Sequence, residues 1–220
     1  MPKLKDRAAA ILETWFPGQE GAGVIVEALF GNINPGGKTT VTFSQGAGVQ
    51  PVFYNHKFLS RGIPRMPETD PVFPFGHGLS YTVFEYTDLV LSSNEIPVDG
   101  EVKISCRVVN SGKRKGDEVV QLYICDKVAY ITRPVMELKG FKRLTLEPGE
   151  QKEIIFTLPS DLLSFTGPDF RKVIEPGEVS VMIGSSSKDI RLTGTFTLVG
   201  DSRYPNEDRA LFTEVEVRSR

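Results

Sequence analysis

From Phe84 onward the sequence is written as short stretches of alternating apolar and polar residues, cut at intervals by turn residues. Candidate strands cover 84–92, 101–110, 118–126, 138–146, 151–158, 171–174, 178–184 and 190–198. The cuts are Asp99-Gly100, Asn110-Ser111-Gly112, Glu147-Pro148-Gly149 and Glu175-Pro176-Gly177. Period-two alternation sends successive side chains to opposite faces, and these dipeptides supply the backbone angles of tight turns. About seven such strands in a span of roughly 115 residues predict a mainly β fold, an immunoglobulin-like β-sandwich over 83–200. Cys106 alternates with Val102, Ile104 and Val108, which puts it on the core face. Cys125 falls with Gln121 and Tyr123, opposite Val120, Leu122 and Ile124, so two free cysteines are expected. The tail, 201–220, is polar; its alternating piece 212–217 either adds a strand or frays.

The first 44 residues read differently, as strand, helix and strand. An apolar run at 8–15 ends in Phe16-Pro17-Gly18, a turn signal. Ala22, Ile25, Val26 and Leu29 share one helical face between Gln19 and Phe30, and Gly31 is a natural stop. Asn34-Pro35-Gly36-Gly37 turns the chain into an alternating segment at 38–43. One strand–helix–strand unit of an α/β sheet cannot bury both of its faces and needs a partner layer. Residues 45–82 carry Pro51, Pro64, Pro67, Pro71 and Pro74, which break ladders, beside Phe53, Tyr54, Phe58, Phe73, Phe75 and Tyr81. They read as an extended linker that packs along the domains it joins.

Composition narrows the function classes. The 220 residues are 40% hydrophobic and 25% charged, which excludes wholesale disorder. A formal net charge of −2 with no basic stripe argues against nucleic acid. No apolar stretch approaches the roughly 20 residues of a bilayer span. The opening fifteen residues carry both signs of charge and lack the apolar core of a leader, and the compartment stays open. Cys106, Cys125, His56 and His77 show no metal-ligand spacing, so no metal or cofactor is expected.

Several motifs resemble the C-terminal part of glycoside hydrolase family 3, the β-glucosidase and β-xylosidase group. Trp15-Phe16-Pro17-Gly18-Gln19-Glu20-Gly21, Leu29-Phe30-Gly31, Asn34-Pro35 and Gly37-Lys38 resemble the end of that family's α/β sandwich domain. Tyr54-Asn55-His56-Lys57 is similar to a segment of its bacterial β-glucosidases. Pro74 to Thr82, PFGHGLSYT, resembles the entry to its fibronectin type III-like domain. Arg133-Pro134, Glu137 to Phe141 and Leu146 to Glu150 resemble motifs inside that domain. The resemblance spans about residues 8–198. It implies retaining removal of terminal β-linked sugars by a complete enzyme, whose barrel and α/β domains supply an Asp nucleophile and the acid/base. Both motifs belong upstream of this segment, and none of the 28 acidic residues here matches them. The chain alone is therefore expected to be inactive, with no catalytic residue of its own. Its partners would be the barrel and α/β domains, in cis or as a separate chain, and through them a β-linked oligosaccharide or glucoside.

Individual candidates weigh as follows. Tyr54, Asn55, His56 and Arg61, with Lys57, combine polar groups and an aromatic ring that suit sugar hydroxyls and pyranose faces; they are the substrate-binding candidates, with packing against the absent barrel as the alternative. Glu20 reads as a carboxylate stabilised by the helix start, and Gly18 to Gly23 lacks the pattern of a phosphate loop. His77 reads as a packing histidine, Lys113-Arg114-Lys115 as a solvated turn, and Trp15 as core or interdomain packing. Tyr130, Arg133 and Arg143 are expected to touch a neighbouring domain through cation–π or hydrogen-bond contacts. Two other readings stay open: a self-contained carbohydrate-binding or interaction module, and one subunit of a split hydrolase. Unpaired edges at 8–15 and 38–43 would favour a homodimer or aggregation.

Overall fold

A computed structural model describes residues 2–49, 52–58 and 70–219. Its elements, in chain order, are α1 (Pro2–Lys5), α2 (Gly21–Leu29), β1 (Phe84–Leu91), β2 (Glu95–Pro97), β3 (Glu101–Asn110), β4 (Gly116–Asp126), β5 (Glu137–Leu146), β6 (Gln151–Pro159), β7 (Phe165–Thr166), β8 (Lys172–Val173), β9 (Gly177–Ser186), β10 (Asp189–Val199) and β11 (Glu214–Ser219). One sheet has the order β1-β3-β6-β11 and the other β2-β10-β9-β4-β5; β7 and β8 form a small hairpin. Pairing is antiparallel except between β10 and the short edge strand β2. The mainly β sandwich expected from the alternation is present.

Its core is built from the inward faces of both sheets. Ile104, Cys106 and Val108 of β3 and Ile154, Phe156 and Leu158 of β6 oppose Val120, Leu122 and Ile124 of β4, Val181 and Ile183 of β9, and Phe196 of β10. Burial of each large side chain contributes about 1.5–3 kcal/mol relative to exposure. Cys106 lies in this core, Cys125 is half-buried, and both are free thiols. The tail piece does add a strand: β11 pairs with β6 from Glu214↔Thr157 to Ser219↔Lys152. Ahead of it, Arg203 pairs with Asp161, donates to the Val98 carbonyl at 3.0 Å, and so ties the tail to the sandwich.

The N-terminal segment corrects the sequence reading. The helix forms as α2, but 8–15 and 38–43 are not sheet strands. Strand identity depends on a ladder partner, and among the described residues 8–15 has none. The 38–43 segment is extended and makes only a loose pairing with the linker. Thr39 N–H donates to His77 O at 2.7 Å, Gly76 N–H to Thr39 O at 2.8 Å, and Phe43 N–H to Phe73 O at 2.9 Å. Along α2 only Gly21 and Ala28 are buried, while Val24, Val26 and Leu29 face solvent. Apolar residues on nearly every side of a short helix are the pattern of an element meant to be covered.

The described part of residues 45–82 covers a face that the alternation assigns to solvent. Phe75, Gly76 and Tyr54 lie over the outer side of β4, so Gln121 and Tyr123 are buried although they point away from the core. Gln121 Nε2 donates to Gly76 O at 3.2 Å and to Ser185 O at 2.6 Å, and its Oε1 accepts from Tyr123 Oη at 2.6 Å. A Cβ on Gly76 would meet that Oε1 at 2.1 Å, and its φ of +79° already favours glycine.

Candidate functional site

Three of the four sugar-facing candidates, Tyr54, Asn55 and His56, lie on one linker loop; Arg61 lies outside the described residues. The loop sits on the sandwich's 127–136 connection. Val135 N–H donates to His56 O at 2.9 Å, and Lys57 forms an isolated bridge with Pro134. His56 Nδ1–H donates to Lys57 O at 3.0 Å. The Asn55 side chain is exposed.

Tyr54 is held more tightly than a sugar platform requires. Its ring stacks on Phe75 with centroids 4.3 Å apart and meets the edge of Tyr123 at 5.8 Å. Its hydroxyl accepts from Leu138 N–H at 3.2 Å. That N–H is free because the β4–β5 register skips Lys139, passing from Leu122↔Gly140 to Tyr123↔Leu138. The bulge also frees Lys139 O, which accepts from Thr213 Oγ1 at 2.6 Å. One β-bulge thus receives the linker on one side and the tail on the other. Burial raises the Tyr54 hydroxyl above its ordinary pKa, the Leu138 hydrogen bond offsets part of this, and Glu137 adds to it.

A charged cluster borders this bulge. Arg133 donates to Glu137 Oε2 at 2.9 Å, lies 3.7 Å from Asp126 Oδ2 through Nε, and places its guanidinium over the Phe165 ring at 4.6 Å. Lys139 Nζ lies 3.3 Å from Glu137. Burial raises the Asp126 carboxyl against the pull of Arg133, and burial lowers the Lys139 ammonium against the pull of Glu137. Asp126 and Glu137 share one guanidinium, so they form an internal ion cluster instead of an acid/base pair facing a cleft. Within the chain, Arg133 makes its cation–π contact inside the sandwich, and Arg143 pairs with Asp117.

Beneath the loop lies a cavity of about 100 Å³ bounded by Tyr54, His56, Phe75, Val135, Thr42 and Ser187. Ligand pockets run to about 300–1,000 Å³, so this one does not enclose a pyranose ring. Among the described residues no cluster of His, Cys, Asp and Glu is arranged to hold a metal.

The remaining candidates are structural. His77 stacks on Phe73 with centroids 5.3 Å apart; burial, then Lys38 and Lys5, lower its pKa. Glu20 occupies the N-cap of α2 without a side-chain capping bond. Within the basic triplet, Arg114 donates to Gly31 O at 3.0 Å, a cation at the C-terminal end of α2, and Lys115 pairs with Glu147 at 2.6 Å. The triplet is exposed, as a solvated turn would be, and through Arg114 it also fastens the helix. Trp15 takes a left-handed φ of 49°, with its ring 6.0 Å from Phe43, and Phe16 beside it is fully exposed.

Residues 1–81 match the glycosyl hydrolase family 3 C-terminal domain, and residues 118–187 match the fibronectin type III-like domain. The chain belongs to glycoside hydrolase family 3. It is 41% identical over 210 residues to a periplasmic beta-glucosidase of Salmonella typhimurium, a match that takes in 90% of this chain and 27% of the relative. A beta-xylosidase of Formosa agariphila is 41% identical over 189 residues, 84% of this chain and 26% of that protein. Among solved structures, the beta-glucosidase from Listeria innocua in complex with gluconolactone superposes with a TM-score of 0.84 at 34% identity, covering 90% of this chain and 29% of that one. The family 3 chain described here spans about a quarter of the length of these relatives and corresponds to their C-terminal part.

Proposed function

We propose that this family 3 segment is the accessory C-terminal portion of a retaining β-glucosidase-type hydrolase, which removes terminal β-linked glucosyl residues. Its role is to complete and clamp the catalytic body, and the segment itself carries no nucleophile or acid/base. The observation that carries this reading is the contrast between its two halves. The sandwich has a closed core, whereas α2, Trp15 and Phe16 present largely exposed apolar groups. A self-contained binding module has no use for such a half-covered element. The Asn55–His56 loop is the part that lends polar groups to a sugar, with Tyr54 as its anchor.

The test is a chimera. The segment replaces the corresponding C-terminal part of the Salmonella relative, and turnover of aryl β-glucoside and β-xyloside is measured for the chimera and for the 220-residue chain alone. An active chimera beside an inactive isolated chain is expected. Turnover by the isolated chain, or glycan binding by it with an inactive chimera, refutes the accessory role.

A further inference from the structure

We propose that the Lys38–Glu118 ion pair is a register pin that selects one position for the N-terminal segment on the sandwich. The inference concerns this chain by itself and stands whether or not the enzyme reading holds. Lys38 Nζ lies 2.9 Å from Glu118 Oε1, with side-chain exposures of only 12% and 6%. The ammonium also donates to Gly78 O at 3.1 Å, and the same Oε1 accepts from Val119 N–H at 2.7 Å. Three parts of the molecule therefore meet at one charge pair: the 38–43 segment, the linker and strand β4.

The local sequence explains why a pin is needed. Lys38-Thr39-Thr40-Val41-Thr42-Phe43 repeats threonine at three of six positions. In the observed register Thr39 Oγ1 donates to Pro74 O at 2.7 Å and accepts from His77 N–H at 3.0 Å. After a slip, Thr40 or Thr42 offers the same hydroxyl to the same partners. Hydrophobic patterning specifies register weakly when neither face of a segment is strongly apolar.

Upstream, Asn34 is well anchored: its Nδ2 donates to Lys115 O at 3.0 Å, and its Oδ1 accepts from Tyr81 N–H at 2.8 Å. Gly36 and Gly37 separate that anchor from Lys38 and transmit little torsional constraint. Lys38 and Phe43 are the residues of the segment whose chemistry no neighbour duplicates; the Phe43 ring meets Phe73 at the far end, and Lys38 fixes the near end by charge. A buried ion pair is a poor source of net stability, because desolvation offsets the attraction, but it penalises every arrangement that leaves either charge alone.

The experiment compares K38M, E118Q and the double variant K38M/E118M with the parent chain by hydrogen exchange read on peptides covering 36–43, 70–78, 101–110 and 151–159. Each single variant should lose about tenfold or more protection in the first two peptides, with the sandwich peptides unchanged, as expected for a local opening. The double variant should keep the parent melting temperature while 36–43 and 70–78 remain unprotected. Three results overturn the proposal: unchanged protection in the single variants, restored protection in the double variant, or loss of protection in 101–110 and 151–159. The last shows that the pair supports the sandwich as a whole; E118Q, which keeps size and one hydrogen-bonding oxygen, guards against mistaking misfolding for unpinning.

Discussion

Phe16→Ser isolates the docking role of the N-terminal segment from its own folding. Phe16 is 100% exposed, so its ring contributes no burial to the isolated chain, and the substitution should leave the melting temperature within about 2 °C of the parent. Covering a Phe ring against a partner is worth about 1.5–3 kcal/mol. At 1.4 kcal/mol per decade, losing it weakens association about 10- to 150-fold. The assay is calorimetric titration of the chain into the separately prepared barrel and α/β domains of the Salmonella relative, for the parent, Phe16→Ser and Phe170→Ser. Phe170 is the control, being 91% exposed at the turn of the β7–β8 hairpin on the sandwich. Equal weakening by both substitutions means that apolar exposure as such drives association. An unchanged affinity for Phe16→Ser refutes the assignment of this face to the catalytic body, and a large fall in melting temperature refutes the premise that the ring is unpacked.

Tyr54→Phe keeps the stack on Phe75 but deletes the acceptor for Leu138 N–H, so stability should fall by about 1 kcal/mol, roughly 2–4 °C in a denaturation scan. Tyr54→Ala should cost several times more and release the 52–58 loop to exchange. Cys106 sits in the core with its thiol pushed up to about 12 by burial, then by Glu153, so alkylation at pH 8 should label Cys125 first and Cys106 only after unfolding. Mass spectrometry of the digest reads the order, and early Cys106 labelling contradicts the packed sandwich. His77 has a lowered folded pKa, so the folded state binds its proton less readily than the unfolded one. Its contribution is complete above the unfolded pKa of about 6.5 and is lost as pH falls through the folded value. His77→Asn should flatten the acid side of a stability-versus-pH curve below about pH 6.5; an unchanged slope there removes His77 from the account.

The parts of this molecule legible in its sequence are those whose cause is local. Period-two alternation needs only the strand and water to be meaningful, which is why 101–110 reappears as β3 and 84–92 as β1 with one end residue changed. The two- and three-residue strands β7 and β2 carry too few alternations to register. Where the cause is a partner, the reading goes astray. Residues 38–43 alternate only weakly and make no more than a loose pairing with the linker, because pairing is a relation between two chain segments. Gln121 and Tyr123 have the polarity of a solvent face, and they are buried because the linker brings matching groups, the Gly76 carbonyl and the Tyr54 ring.

The same distinction governs the candidate site. A tyrosine ring flanked by Asn55 and His56 suits a sugar, but stacking on a pyranose and stacking on Phe75 make identical demands on Tyr54. What separates the two is the hydroxyl's partner, and that partner exists only because the β4–β5 register skips Lys139. A bulge is invisible in one strand's sequence, since it is defined by the offset between two. Tyr54 is thereby the peg that holds Asn55 and His56 at the sandwich's edge.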